Sequence, residues 1–552
     1  MMPTLRSIGM LFGFICFAAI LEPVCAQDGN AGTWKASGTH GAVAAGGQEA
    51  VAAGLAMLQS GGNAADAAVA TILALSVTDS TAFCFGGEVP IMVYDAKRNV
   101  VEVICGQGTA PRLATREYFA KKGGIPGKGV EPAAVPGALD ACLTTLDRFG
   151  TKTFAEATAP TLKILDRHAK TWHADLALTI RRLIAAEQAA PTDRSRGLRL
   201  AADYFYRGPI AHEIDLWSRA NGGLIRFADL ATHVSRIEEP LSVKYRGHSV
   251  YKCGIWTQGP YLLQTLRLLE GFDLRAMGHN SPAAIHVSVE ALKLALADRD
   301  FYYADPLFSS IPAAQLLSDS YADLRRPLID VKQASRMQRP GDPRAGKALL
   351  EKLDARTGPG EEDLDTTTCV VADSQGNVVA ATPSGFSGVV AGRTGVWLGS
   401  RLQCFNTWEG HANCIEPGKR PRITLTPGLV LKNGKPLLAM SIAGGDGQDQ
   451  AALQLIVNSL DFGMPPAAAV TAPRFGTEHL MGSFRQTPPK LGSLLLNSEF
   501  SDKVVQELKA RGHDVSLKKG ALWAPVLLRI DPQTHRIEVA GDPKAKRHAA
   551  AY

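Results

Sequence analysis

The chain has 552 residues, of which 45% are hydrophobic and 20% are charged. This composition excludes a disordered protein and is typical of a globular one. The length allows several domain-sized units or one large layered domain. The net charge of +6 comes from 59 basic and 53 acidic residues that are scattered along the chain, so we expect no nucleic-acid-binding surface.

The N-terminus has the pattern of an export signal. Arg6 precedes an uncharged apolar run over residues 8–21, and Val24 and Ala26 occupy the small-residue positions before a cut. The run is shorter than the roughly 20 residues that span a membrane. We therefore expect residues 1–26 to be a removed signal peptide, and the mature protein to be periplasmic or secreted, without a membrane anchor.

Two helices and a hairpin are predicted next. The stretches "GQEAVAAGLAMLQ" and "NAADAAVATILALSVTD" carry Ala and Leu at helical spacing, and "SGGN" separates them, with Asn63 as the N-cap of the second helix. The stretch "VPIMVYDAKRNVVEVICG" alternates like two strands joined by a turn. Residues 136–330 are then rich in helical pattern, most clearly in "AAIHVSVEALKLALADRDFYY".

An irregular segment, residues 336–365, precedes a second group of strands. It mixes Pro, Gly and charged residues around one short helical phrase, which is typical of a flexible surface connection. Beyond it, "TTTCVVADSQGNVVAAT" and "GLVLKNGKPLLAMSIAGG" predict two hairpins, the second with a strong turn signal in "KNGK". The helix "DQAALQLIVNSLDFG", a further helix and a last pair of strands complete the prediction.

Three threonines, at positions 366–368, stand where the irregular segment meets the first of these strands. Threonine suits strands, so the run has an ordinary structural explanation. If the chain is cut before Thr366, the threonine run also has a chemical explanation. The hydroxyl of an N-terminal threonine attacks a carbonyl group, and its own α-amine, whose ordinary pKa is about 8, takes the proton.

The motifs together resemble the γ-glutamyltransferase (glutathione hydrolase) family of N-terminal-nucleophile hydrolases. "SGGNAADAAVA", "VPGALDACLTTLDRFGT", "YRGHSVY", "DTTTCVVADSQGNVVAAT", "PGKRPRITLTPGLVLKNGKP" and "AGGDGQDQ" occur in the family's order. The resemblance implies an α+β fold, a four-layer αββα sandwich, in a precursor that cuts itself between Asp365 and Thr366. The large subunit, residues 27–365, and the small subunit, residues 366–552, would stay together as a heterodimer, with a higher oligomer left open.

The same register implies the catalytic residues. Thr366 matches the nucleophile, and Ser384 matches a second hydroxyl that hydrogen-bonds it. Gly444 and Gly445 match the glycine pair whose backbone N–H groups form the oxyanion hole. The implied reaction is a two-step acyl transfer on a small-molecule amide or peptide, without a metal ion or an organic cofactor.

The chain departs from the family's pattern where the γ-glutamyl head group would be held. Gln107 replaces the arginine for the α-carboxylate, Arg401 and Cys404 replace the residues for the α-amino group, and Ile423 and Thr424 replace paired serines. Because Arg401 would repel an ammonium group, we expect a different acyl group. The candidate substrate-binding residues are Gln107, Arg401, Thr424 and Asp446.

Three functions remain open from the sequence. The first is a self-processing threonine amidohydrolase whose acyl group carries a carboxylate for Arg401. The second is an ordinary glutathione hydrolase or γ-glutamyl transpeptidase. The third is an inactive family member that acts as a binding protein, which a chain that is never cut before Thr366 would indicate.

Overall fold

The computed structural model describes residues 33–168, 171–350, 356–360, 365–386 and 388–552. The predicted signal peptide and most of the short helical phrase before the threonines lie outside the described residues. Within the described ranges, no helix has the length and apolar character that a membrane span requires.

Two seven-stranded sheets, each with antiparallel neighbours, form the centre of the fold. The first contains, in spatial order, β17 (His548–Ala551), β2 (Gly41–Ala45), β8 (Cys369–Asp373), β9 (Val378–Ala381), β3 (Ile91–Asp95), β4 (Val100–Cys105) and β5 (Arg236–Glu238). The second contains β1 (Lys35–Gly38), β16 (Ile537–Gly541), β15 (Ala524–Ile530), β11 (Lys435–Ala443), β10 (Gly428–Lys432), β7 (His248–Lys252) and β6 (Leu241–Tyr245). A third, smaller sheet contains β12 (Phe475–Gly476), β13 (Ser493–Asn497) and β14 (Asp514–Lys518).

Apolar residues of the two large sheets pack face to face. Successive side chains of a strand point to opposite sides of its sheet. Val370 of β8 therefore lies in the core between the sheets with Leu528 of β15, whereas Val371 packs against helices on the outer side. Helices cover the outer face of each sheet, so the predicted αββα sandwich is confirmed.

The helices form the two outer layers. On the outer side of the first sheet lie α1 (Gln48–Gln59), α2 (Ala64–Thr78) and α4 (Ala138–Phe149), and on these helices pack α5 (Phe154–Asp166), α6 (Thr171–Glu187), α7 (Arg194–Tyr206) and α8 (Pro209–Ala220). Against the second lie α10 (Pro260–Leu269), α12 (Pro282–Tyr302), α14 (Asp319–Arg325), α15 (Gln448–Leu460) and α16 (Pro466–Thr471). The remaining helices are α3 (Arg116–Ala120), α9 (Phe227–Ala231), α11 (Leu274–Met277), α13 (Ala313–Leu316) and α17 (Asp502–Ala510).

Local sequence signals predicted several elements correctly. Asn63 caps α2 by accepting hydrogen bonds from the backbone N–H groups of Ala65 and Asp66, and Asp66 accepts one from the Asn63 N–H in return. In the "KNGK" turn between β10 and β11, Asn433 and Gly434 have φ values of 51° and 78°. Both values are positive, as a two-residue turn of this kind requires.

The sequence analysis predicted too few strands in two places. The helical section over residues 136–330 also contains β5, β6 and β7, which have only three to five residues each, although β6 (LSVKY) does alternate between apolar and polar residues. After α17 the chain forms four strands, β14 to β17, instead of one pair. Two of them pair with β1 and β2 at the opposite end of the chain, and no local pattern encodes such pairings.

Candidate active site

The three threonines lead directly into β8 of the first sheet. The N–H of Thr367 donates a hydrogen bond to the carbonyl of Pro383 at 2.8 Å, which fixes the run beside Ser384. The side chains of Thr367 and Thr368 are completely buried. Among the three, only Thr366 lines an open cavity, so only its hydroxyl is placed to meet a substrate.

The Thr366 hydroxyl lies against the peptide bond that precedes it. Its Oγ1 donates to the carbonyl oxygen of Asp365 and lies 3.2 Å from Oγ of Ser384. The Ser384 hydroxyl donates to the same carbonyl oxygen. Two hydroxyl groups therefore meet at the carbonyl of the peptide bond that a cut before Thr366 would break.

The side chain of Asp365 occupies a closed pocket. Its Oδ2 accepts a hydrogen bond from the N–H of Phe386 at 2.9 Å, and its Oδ1 lies 3.4 Å from Oγ of Ser384. Nη2 of Arg401 lies 3.5 Å from the same Oδ1. Burial raises the pKa of Asp365, and the Arg401 guanidinium opposes that rise. The pocket thus offers a carboxylate one backbone amide and one guanidinium, while the single proton of the Ser384 hydroxyl goes to the Asp365 carbonyl.

Arg401 is shared between two buried carboxyl groups. Its Nε donates to Oε1 of Glu88 at 2.5 Å, and its Nη2 donates to Oγ of Ser384 at 2.6 Å. Burial raises the pKa of Glu88 to about 7, with Arg401 opposing the rise and Asp365 adding to it. The sequence analysis missed Glu88, whose backbone pairs with that of Ser384 in a short antiparallel bridge.

Titration of Glu88 should make the stability of the uncut protein depend on pH. We expect the Thr366→Ala protein to lose stability as the pH rises from about 4.5 to about 7, because the folded state keeps the Glu88 proton that the unfolded chain has already released. The loss from this one group is up to about 3 kcal/mol. Urea unfolding at pH 5 and pH 8 measures it.

The double variant Thr366→Ala/Glu88→Gln is the control, because glutamine does not titrate. Its free energy of unfolding should fall less between the two pH values than that of the Thr366→Ala protein. An equal fall in both proteins would contradict the raised pKa of Glu88.

Thr366 opens onto a cavity of about 450 Å³. Gly444, which follows β11, lines this cavity together with Thr366. Gly445 begins the short 3₁₀ turn Gly445–Gly447, and its carbonyl accepts a hydrogen bond from the side-chain amide of Gln258 at 3.2 Å. The glycine pair therefore starts at the cavity wall, and its role as an oxyanion hole stays a prediction.

Asp446 also lines the cavity, where a network of donors holds it. It accepts hydrogen bonds from Nη1 of Arg299 at 2.5 Å and from the N–H and Oγ of Ser483 at 2.7 and 2.5 Å. Burial alone would raise the pKa of Asp446, but the guanidinium groups of Arg299 and Arg422 hold it below its usual value. Asp446 is therefore an anion whose charge Arg299 already neutralises.

The other two predicted substrate-binding residues are buried and do not line this cavity. The side-chain amide of Gln107 donates to the Gly108 carbonyl at 2.9 Å, and the Thr424 carbonyl accepts from Gln258 at 3.2 Å. Oε1 of Gln107 and Oγ1 of Thr424 have no hydrogen-bond partner within the described part of the chain. Both residues stay candidates, because an unpartnered polar atom can still meet a ligand.

Comparisons with known proteins match the chain over most of its length. The γ-glutamyltranspeptidase family model matches residues 50–170 and 165–552. The chain is 33% identical to the acylase ACY 1 proenzyme of Pseudomonas sp. (strain SE83), over 87% of this chain and 88% of that protein. It is 30% identical to the glutathione hydrolase proenzyme of Escherichia coli (strain K12), over 95% and 92%.

A solved structure shows the same likeness. The cephalosporin acylase from Bacillus halodurans superposes with a TM-score of 0.79 at 28% identity, over 98% of this chain and 99% of that one. The matches confirm the family resemblance, the fold class and the class of amide-cleaving enzyme that the sequence predicted.

Proposed function

Because the chain belongs to the γ-glutamyltranspeptidase family, we propose that it is a self-processing amidohydrolase with Thr366 as its nucleophile. The cut separates Asp365 from Thr366 and exposes the α-amine of Thr366 as the base. The mature enzyme acts on small amides whose acyl group carries a carboxylate in place of the γ-glutamyl head group.

The position of Asp365 is the observation that carries this proposal. In the uncut chain, Asp365 supplies the carbonyl of the peptide bond that lies beside the Thr366 hydroxyl. The Asp365 side chain therefore indicates where the side chain of a substrate's acyl group would lie. There its carboxylate is met by the Phe386 N–H and the Arg401 guanidinium, and the Ser384 Oγ lies 3.4 Å from it. Once Asp365 has left, the same amide and guanidinium are available to a substrate carboxylate.

The pocket also indicates the length of the acyl group. Two carbon atoms separate the backbone carbonyl of an aspartate from its side-chain carboxylate, as in a succinyl group, and a glutaryl group is one carbon longer. The α-ammonium of a γ-glutamyl group would instead approach Arg401 and be repelled. We therefore favour a dicarboxylic monoamide over a γ-glutamyl amide as the substrate.

The proposed reaction has two steps. Oγ1 of Thr366 adds to the substrate carbonyl while the α-amine takes the hydroxyl proton; the C–N bond then breaks, the leaving amine takes that proton, and an ester remains on Thr366. Water adds to the ester with the α-amine again as base, and the C–O bond breaks to release the carboxylic acid and restore the hydroxyl. The N–H groups of Gly444 and Gly445 stabilise the oxyanion, each by about 3 kcal/mol.

Strands from both sides of the cut alternate within the first sheet, which supports a heterodimer. β2 and β3 belong to the proposed large subunit, residues 27–365, and β17, β8 and β9 to the small subunit, residues 366–552. Separating the subunits would break the sheet, so we expect them to stay together. The signal pattern at residues 1–26 supports a periplasmic or secreted location.

Hydrolysis of matched 4-nitroanilides tests the acyl specificity. The set contains succinyl, glutaryl, butyryl and γ-glutamyl anilides, with the butyryl anilide as the uncharged control. We expect kcat/KM for the succinyl or glutaryl compound to exceed that for the butyryl compound by about 30-fold, because a charged hydrogen bond contributes about 2 kcal/mol.

Faster turnover of the γ-glutamyl anilide than of the glutaryl anilide would overturn this specificity and favour an ordinary glutathione hydrolase. No turnover of any anilide by a chain that also stays uncut would favour the inactive binding protein.

A further inference from the structure

Trp523 lies at the wall of the active-site cavity in a backbone conformation that tryptophan rarely adopts. Its φ is 63°, in the left-handed region. It directly precedes β15 and lines the cavity together with Thr366 and Gly444. Backbone strain of this kind occurs preferentially at functional sites, so the position of this indole needs an explanation.

The Trp523 indole fills space that is open because Gly444, Gly447 and Gly476 have no side chain. A Cβ atom on Gly447 would lie 1.8 Å from Nε1 of Trp523, and one on Gly444 would lie 2.4 Å from its Cδ1. A Cβ atom on Gly476 would lie 2.4 Å from Cη2 of the same ring. Any larger residue at these positions would displace the ring. The indole therefore lies against the candidate oxyanion glycine and packs on the core of the second sheet, and Trp523 also lines the cavity.

Buried polar side chains fix the segment that leads to Trp523. Nε of Arg474 donates to the carbonyl of Leu522 at 2.6 Å, and the side-chain amide of Asn497 donates to the carbonyl of Gly520 at 2.8 Å. Both donor residues are buried. The scaffold thus positions the indole before a substrate arrives, as a specificity pocket requires.

Lys518 stands at the other end of the same segment and also lines the cavity. Two further lysines of the wall, Lys490 and Lys544, are paired with Glu478 and Glu499. Lys518 has no ion pair with any residue in the described part of the chain. Its positive charge is therefore available to an anion in the cavity.

We propose that Trp523 is a specificity-determining residue that supports the amine half of the substrate, a planar cyclic amine with a carboxylate that meets Lys518. This inference rests on the proposed function, in which the acyl half takes the closed pocket of Asp365. The amine half then occupies the open cavity that Thr366 lines. Along that wall, the indole offers a flat apolar surface and Lys518 a cation.

Two anilides with the same acyl group test the inference. The wild-type enzyme should hydrolyse the glutaryl 3-carboxy-4-nitroanilide with a kcat/KM about fivefold above that of the glutaryl 4-nitroanilide, and added salt should reduce this preference. Lys518→Gln should abolish the preference. Lys519→Gln is the matched control, because Lys519 is exposed and does not line the cavity, and it should keep the preference.

The indole is tested by Trp523→Leu and by the conservative Trp523→Phe. We expect Trp523→Leu to raise KM about tenfold for both anilides with a smaller change in kcat, and Trp523→Phe to restore part of the loss. Cleavage before Thr366 reports that each variant has folded. An unchanged KM in cut Trp523→Leu protein, or no preference between the anilides in wild type, would overturn the inference.

Binding of the free amine separates this inference from the proposed function. If neither anilide is hydrolysed, the proposed function fails, and calorimetric titration with 5-amino-2-nitrobenzoate still decides the inference. Binding that weakens in both Lys518→Gln and Trp523→Leu proteins supports it. No binding at millimolar concentration, or binding that neither substitution weakens, overturns it.

Discussion

The Thr366→Ala protein is expected to remain a single chain and to lose at least about 10⁴-fold in kcat. The variant lacks the Thr366 hydroxyl that lies against the Asp365 carbonyl, so the preceding peptide bond loses its proposed nucleophile. Without the cut, residue 366 has no free α-amine to act as the base. Denaturing electrophoresis and hydrolysis of the glutaryl anilide measure the two effects.

Thr367→Val is the matched control for this experiment. Thr367 is completely buried, and its Oγ1 has no hydrogen-bond partner among the described residues, so an isosteric valine removes no contact there. The control protein should be cut and active. A Thr366→Ala protein that is cut, or that retains ordinary activity, would show that another group is the nucleophile.

Arg401→Met is expected to destabilise the protein by about 3–5 kcal/mol. The substitution leaves the carboxyl group of Glu88 buried without its cation and, in the uncut chain, that of Asp365 as well. Turnover of the glutaryl anilide should fall about 30-fold relative to the butyryl anilide, because the guanidinium also meets the substrate carboxylate. Urea unfolding and the ratio of the two kcat/KM values measure these losses.

The double variant Arg401→Met/Glu88→Leu separates the two roles of Arg401. It removes both members of the buried ion pair, so it should regain much of the stability that the single variant loses. It should still lack the preference for glutaryl over butyryl. A double variant that discriminates as well as wild type would contradict the assignment of Arg401 to the acyl pocket.

Short-range patterns allowed much of the fold to be predicted. The cap at Asn63 and the turn at Asn433 and Gly434 depend on residues within a few positions of one another. The motif register then placed Thr366 and Ser384, whose hydroxyl oxygens lie 3.2 Å apart in the structure. The cap and the turn could be predicted because their residues are neighbours in the chain, whereas Thr366 and Ser384 were assigned from the family resemblance.

The remaining features of the site depend on contacts between distant parts of the chain. Arg401, which the sequence analysis predicted to bind a substrate carboxylate, forms a buried ion pair with Glu88, a residue 313 positions away in the chain. The space for the Trp523 ring depends on Gly444, Gly447 and Gly476, which precede Trp523 by dozens of residues in the chain. A single glutamate or tryptophan carries no local signal of such a role, so only the folded chain identifies it.

The proposed enzyme depends on the cut before Thr366, and N-terminal sequencing with intact mass of purified wild-type protein measures that cut. We expect two fragments that elute together under native conditions, the smaller beginning at Thr366. A single uncut chain after prolonged incubation, or a small fragment with a different first residue, would contradict Thr366 as an N-terminal nucleophile.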